Sequence, residues 1–142
     1  MNRCLLTTVQ SDSHMWNLMY MQLWLEEHGF DTLNLGCCVS TEETILSIEQ
    51  FRPELVVISS LNGHGYSQGK GLIGAIKQYF DQSPIVVIGG KLSTHISDNE
   101  LITTELTSDG YDGVFVGANA IEEFECFVKA LKLKRSALKA AS

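Results

Sequence analysis

Leu55-Val56-Val57-Ile58-Ser59-Ser60-Leu61-Asn62-Gly63-His64-Gly65 is the stretch that decides the fold. Its first four residues form an unbroken apolar, mostly β-branched run, the pattern of a strand buried on both faces. A strand is covered on both faces when helices lie above and below its sheet, so this run predicts the central strand of an α/β sandwich. The serines and glycines that follow predict a loop with small side chains, where backbone can approach a ligand closely.

Outward from this stretch, strands and helices alternate. Cys4 to Val9 reads as the first strand and Met15 to His28 as a helix with Leu18, Met21, Trp24 and Leu25 on one face, stopped by Gly29. Asp31 to Gly36 is a second strand. Thr41 to Phe51 is a helix opened by Ser40 or Thr41 before Glu43, with Ile45 and Ile48 for the core. After the third strand, Leu55 to Ser59, come a helix at Gly69 to Phe80 and a fourth strand at Ile85 to Ile88, entered by Pro84. Asp98 to Thr107 is a helix with Asp98 as its cap, Val114 to Val116 a fifth strand, and Asn119 to Leu133 a last helix capped by Asn119. Five such units predict a three-layer, flavodoxin-like (Rossmann-like) sandwich with a five-stranded parallel sheet in the order 2-1-3-4-5.

The 142 residues suit one domain, 1–142, with a basic C-terminal tail from about residue 134. The formal charge is −7, and all seventeen acidic residues lie at or before Glu125. Half of the ten basic residues fall in the last fourteen positions: Lys129, Lys132, Lys134, Arg135 and Lys139. So acidic a body argues against nucleic acid as a partner, and the tail reads as a solvated helix end whose cations suit the negative end of the helix dipole. No apolar run approaches the ~18 residues of a membrane span, and no signal peptide precedes the first strand. Cys4, Cys37, Cys38 and Cys126 form no CxxC or zinc spacing, and an adjacent pair makes a poor disulfide. A reducing, cytoplasmic setting is expected.

In a sheet of this kind ligands bind beyond the carboxyl ends of the strands. Gln10-Ser11-Asp12-Ser13-His14 follows the first strand, Ser59 to Gly65 the third, Gly89-Gly90-Lys91-Leu92-Ser93-Thr94-His95 the fourth, and Gly117-Ala118-Asn119 the fifth. Asp12 beside His14 can accept the proton of one ring nitrogen, which fixes the tautomer and makes the other nitrogen a better metal ligand. One histidine without a carboxylate cluster does not make a caged zinc or iron site. It suffices for a metal that brings its own equatorial ligands, as in a corrin or haem.

Asp12-Ser13-His14-Met15-Trp16-Asn17 resembles the D-x-H-x-x-G motif of cobalamin-binding domains. Ser59-Ser60-Leu61 is similar to the S-x-L motif of their second loop, and Gly89-Gly90 to the double glycine of the third. The resemblance runs from about Arg3 to Leu131 and is strongest to the small, sigma subunits of glutamate mutase, whose second loop also reads S-S-L-x-G-x-G, as in Ser59 to Gly65. Asn17 stands at the motif glycine, where asparagine tolerates a left-handed backbone, and Lys91 stands where those subunits commonly have asparagine.

The resemblance implies that His14 binds cobalt in place of the dimethylbenzimidazole base and that Asp12 holds its other ring nitrogen. The displaced nucleotide tail would enter between the first and third strands. Ser11, Ser13, Met15 and Asn17 would border the corrin. Ser59, Ser60, Leu61 and Gly63 would line the tail's channel, with Gly89 and Gly90 giving room. Lys91, Leu92, Ser93, Thr94 and His95 would lie beside it, and Gly117 would border it from the fifth strand. The implied activity is an adenosylcobalamin-dependent carbon-skeleton mutase, an isomerase interconverting glutamate and 3-methylaspartate by a radical route. This chain would be its cofactor-binding subunit, inactive without a large catalytic (β/α)8-barrel partner, in a heterotetramer.

A non-mutase cobalamin carrier or methyl-transfer corrinoid module is the alternative, and a cofactor-free interaction domain the third reading. Asp12 would repel the phosphate of a flavin nucleotide. Ser59 occupies the place where a response-regulator receiver needs its aspartate, and Gly69-Lys70-Gly71 lacks the hydroxyl that a P-loop requires. His28, His64 and His95 read as structural or solvent-facing histidines, and Trp16 and Trp24 as helix-face packing.

Overall fold

A computed structural model describes residues 2–8, 16–36, 38–60, 65–90, 99–117 and 119–141, apart from the side chains at 2, 16–18, 65 and 134–141. The elements are β1 (Asn2–Thr8), α1 (Trp16–Glu27), β2 (Phe30–Asn34), α2 (Thr41–Phe51), β3 (Leu55–Ser60), α3 (Gly65–Tyr79), β4 (Ile85–Gly90), α4 (Asn99–Asp109), β5 (Gly113–Phe115) and α5 (Ala120–Ala141). The sheet runs β2-β1-β3-β4-β5 with every neighbouring pair parallel, the flavodoxin-like order expected from the sequence.

Alternation along the central strands separates two cores. Leu55 and Val57 of β3 pack with Cys4, Leu6, Val87 and Phe115 against Met21 and Leu25 of α1 and Phe124 and Val128 of α5. Val56 and Ile58 point the other way, with Leu5, Val86 and Ile88, onto Ile48 of α2, Leu72, Ile73 and Ile76 of α3, and Ile102 and Leu106 of α4. Every residue of β3 is buried, as its unbroken apolar run predicts.

The helix ends follow the chemistry of their residues. The Ser40 hydroxyl accepts from the Glu43 amide at 3.1 Å and starts α2, a cap worth about 1 kcal/mol. Gly29, at φ +89°, turns the chain out of α1. Beside it the His28 ring stacks on Trp24 with centroids 3.9 Å apart, and its Nδ1 lies 2.8 Å from the Trp24 carbonyl oxygen. The Lys132 ammonium donates to the His28 carbonyl, so a cation of α5 sits at the carboxyl end of α1.

Three expectations need correction. First, α3 starts at Gly65, not Gly69: Tyr66 packs against the core, so the first turn is held although its sequence looks like a loop. Second, α5 continues to Ala141, beyond the Leu133 expected as its end, so the basic residues after 133 lie in the helix itself. Third, Asn17 lies in the first turn of α1 with right-handed helical backbone. Asparagine is easier than glycine to hold in a helix, so the exchange imposes no backbone strain there. The expected cap Asp98 lies outside the described residues, and none of the described helices is long and apolar enough to cross a membrane.

Candidate functional site

The carboxyl edge of the sheet is built from small residues. Thr8 ends β1, Ser59 and Ser60 end β3, Gly89 and Gly90 end β4, and Gly117 follows β5. Parallel register sets them in rows: Thr8 opposes Ser59, Ser59 opposes Gly89, Ser60 opposes Gly90, and Gly89 opposes Phe115. The expected site residues Ser59, Ser60, Gly89 and Gly90 are therefore neighbours, and they are the last strand residues where loop residues were expected. Ser59 and Ser60 are only 5% and 1% exposed. Below this edge β1, β3 and β4 carry mainly leucine, isoleucine and valine, whereas β5 runs the other way, from Gly113 to Phe115.

The double glycine has a backbone cause. At Gly90, φ is +107°, and a Cβ there would lie 1.9 Å from the Ser60 carbonyl oxygen. At Gly89 a Cβ would come 3.0 Å from the carbonyl oxygen of Phe115. The end of β4 thus closes directly on its neighbours, and the space a side chain would need is filled by strand, not left open. Gly117, at φ +93°, is looser: among the described residues only the Asn99 amide nitrogen lies near its missing Cβ, at 3.7 Å.

Further residues at this edge were not singled out from the sequence. The Thr8 hydroxyl donates to the Gly36 carbonyl at 3.4 Å, and the Thr7 hydroxyl lies 3.3 Å from that of Thr44. Thr44 in turn donates to the Ser40 carbonyl at 3.1 Å. These contacts bind the end of β1 to the β2–α2 connection, just before Asp12 and His14 in the chain. Two polar residues, Thr7-Thr8, closing the apolar run Cys4-Leu5-Leu6 were the available signal. β1 and β3 remain paired through Thr8 and Ser59, so a group reaching the interior would pass beyond that pair, not between paired strands.

Behind the edge, the Tyr111 hydroxyl donates to the Gly69 carbonyl at 2.7 Å and holds α3 against the α4–β5 corner. Burial, then the nearby Asp109 carboxylate, pushes the Tyr111 phenol well above its ordinary value, so it stays a neutral donor. Ser11, Asp12, Ser13, His14, Met15, Leu61, Gly63, Lys91, Leu92, Ser93, Thr94 and His95 lie outside the described residues, as does His64. Among the described residues no three of histidine, cysteine, aspartate and glutamate gather into a metal-binding group.

Similarity to known proteins follows the same outline. Glutamate mutase sigma subunits are among the relatives. That of Halobacterium salinarum is 29% identical over 127 residues, covering 89% of this chain and 83% of its own. That of Carboxydothermus hydrogenoformans is 28% identical over 127 residues, covering 89% and 90%. Among solved structures, a cobalamin-binding protein from Desulfitobacterium hafniense superposes with a TM-score of 0.70 at 21% identity, over 90% of this chain and 58% of the other. The monomethylamine corrinoid protein of Methanosarcina barkeri gives 0.68 at 19% identity, over 91% and 57%. This chain therefore spans less than two thirds of those two structures, whereas it spans most of the sigma subunits. The family model described as the B12 binding domain matches residues 2–124, and the chain belongs to that family.

Proposed function

We propose that this chain is the cobalamin-binding small subunit of an adenosylcobalamin-dependent carbon-skeleton mutase of the glutamate mutase kind. The observation that carries the reading is the row of small residues Thr8, Ser59, Ser60, Gly89, Gly90 and Gly117 along the carboxyl edge. A nucleotide tail needs volume at the rim of a closely packed core; Gly117 is the roomier position of this row, while Gly89 and Gly90 let β4 close on Phe115 and Ser60 and so shape its floor. These residues fit the group, and the D-x-H segment follows the strand, β1, whose end is tied down beside them.

In this reading His14 would hold the cobalt, and Asp12 would accept the proton of its other ring nitrogen, leaving the ligating nitrogen free of hydrogen. Ser11, Ser13, Met15 and Asn17 border the corrin. Ser59, Ser60, Leu61 and Gly63 flank the tail, with Lys91 to His95 on its far side and Gly117 at the β5 end. Gly90 acts by letting β4 close over Ser60, which shapes the floor of the tail site. When bound, adenosylcobalamin would supply a weak cobalt–carbon bond as the radical source for the rearrangement of glutamate to 3-methylaspartate implied by the resemblance.

The substrate belongs to another chain. One five-stranded sheet with its helices accounts for every described element, and a (β/α)8 barrel needs about 250 residues. A large catalytic subunit, in a heterotetramer, would cover the upper face and exclude water. The chain alone has no isomerase activity in this reading. A cytoplasmic location belongs to this reading, from the cysteine spacing, which offers no disulfide framework.

Mixing the protein with adenosylcobalamin tests this. The expected spectrum is base-off with histidine bound, and it disappears in His14→Ala; an unchanged cofactor spectrum with the native protein would refute the reading. Lys91, which stands where the mutase subunits commonly have asparagine, leaves a second reading as a methyl-transfer corrinoid carrier. Addition of a glutamate mutase large subunit separates the two: methylaspartate formation supports the mutase, and binding of cofactor without turnover supports the carrier.

A further inference from the structure

Helix α1 is apolar on more sides than the domain covers. Of its twelve residues only Asn17, Gln22, Glu26 and Glu27 are polar. A helix that is apolar all round is one that is covered all round. The core below α1 takes Met21 and Leu25, and Trp24 packs on Phe124 of α5 with ring centroids 5.7 Å apart. On the other flank Gln22 accepts from the Asn34 side chain of β2 at 3.1 Å. Met19, Tyr20 and Leu23 are left outside, 58%, 47% and 64% exposed. Positions three and four apart on a helix lie side by side, so these three make one surface.

Ile121 extends it. α1 and α5 cover the same face of a parallel sheet and run in the same direction. Tyr20 is one turn before Trp24, and Ile121 about one turn before Phe124, so both lie on the carboxyl-edge side of the Trp24–Phe124 contact. Ile121 is 46% exposed. On the other face Leu46 of α2 and Leu101 of α4 stand exposed singly, which is ordinary for a protein surface; a group of large apolar side chains is not.

The border of this patch is acidic. Glu26 and Glu27 lie below it and Glu122 and Glu125 beside it, and no lysine or arginine occurs on α1, or on α5 before Lys129. A second copy meeting this surface would set acid against acid. We propose that Met19, Tyr20, Leu23 and Ile121 form a docking surface for the catalytic partner chain, which meets it with an apolar centre bordered by lysine or arginine. The surface is continuous with the carboxyl edge, where α1 and α5 begin, so a chain that covers the corrin reaches both. This rests on the mutase reading above and gives that partner a footprint outside the cofactor motifs.

The test is calorimetric titration of the adenosylcobalamin-loaded chain with a glutamate mutase large subunit. Met19→Gln combined with Leu23→Gln keeps good helix formers. The pair is expected to weaken association about tenfold or more and to leave adenosylcobalamin binding by the chain alone unchanged. Leu46→Gln, on the other face of the sheet, is expected to change neither. Glu26→Gln combined with Glu122→Gln is expected to weaken association about threefold at low salt and not at high salt.

Native protein that binds adenosylcobalamin but not the large subunit would overturn the mutase reading, and this proposal with it. Native protein that binds the large subunit no better than the Met19→Gln, Leu23→Gln pair does would overturn the docking surface alone. So would an equal loss in Leu46→Gln, or loss of adenosylcobalamin binding in the pair. Self-association of the native chain that the pair dissolves would assign the surface to a second copy and overturn the proposal as well.

Discussion

At Gly90 a single missing methyl group decides whether two strand ends can meet. A Cβ would lie 1.9 Å from the Ser60 carbonyl oxygen, and φ at +107° is unfavourable for any side chain. Both penalties act on Gly90→Ala, which is expected to lose about 3 kcal/mol or more by urea denaturation; a loss under about 1 kcal/mol would show that the strand ends part easily. The Gly89-Gly90 pair was visible in the sequence, but its cause was not. The pair read as room for a ligand, whereas the close neighbour is the carbonyl of another strand, a contact that depends on register and leaves no local signature. Asn17 shows the reverse: its place in the motif and in a helix was legible, and the left-handed backbone considered for it is not needed, because the residue lies in the first turn of α1.

At the scale of the element, α3 holds Gly65, Gly69, Gly71 and Gly74 within fifteen residues. Glycine weakens a helix, which is why the sequence pointed to a later start. The glycines differ in what surrounds them. A Cβ at Gly69 would strike the Ile88 side chain at 2.7 Å, while Gly71 and Gly74 have nothing within 4 Å among the described residues. Gly71→Ala and Gly74→Ala are therefore expected to stabilise the domain by up to about 1 kcal/mol each, read as a rise in the urea midpoint; a fall would mean that these positions meet something at their surface. The strand–helix alternation and the α2 boundaries were legible because apolar period and capping residues agreed. The ends of α3 and α5 were not. The first turn of α3 is held by tertiary contacts of Tyr66, and α5 continues past its last core residues by helix propensity, so neither boundary is marked by apolar periodicity.

For the molecule as a whole, two buried acids set an alkaline limit. Burial pushes the Cys4 thiol and the Tyr111 phenol up from ordinary values of 9.0 and 10.0. Both remain neutral in the folded protein while the unfolded chain ionises at the ordinary values. Their contribution is complete below about pH 9 and falls as pH rises through 9 and 10, by up to about 1.4 kcal/mol per pH unit for each group. A urea midpoint that stays level from about pH 8 to pH 11 would contradict the burial of both groups. Cys4→Ala is expected to remove the earlier part of the decline.

The sheet order, both cores and the small-residue edge could be reached from sequence because each follows from alternation and composition. The ties that brace the edge, Thr7 to Thr44 and Thr8 to Gly36, could not, since they join residues far apart in the chain. The central claim is that a cobalamin bound at this edge takes His14 as its lower ligand. Electron paramagnetic resonance of bound cob(II)alamin, with protein labelled at histidine by nitrogen-15, tests it directly. The account predicts that each cobalt line splits into a doublet in labelled protein, and that His14→Ala abolishes this pattern. A triplet that persists in labelled protein would show the cofactor's own base still on the metal, and would contradict the account.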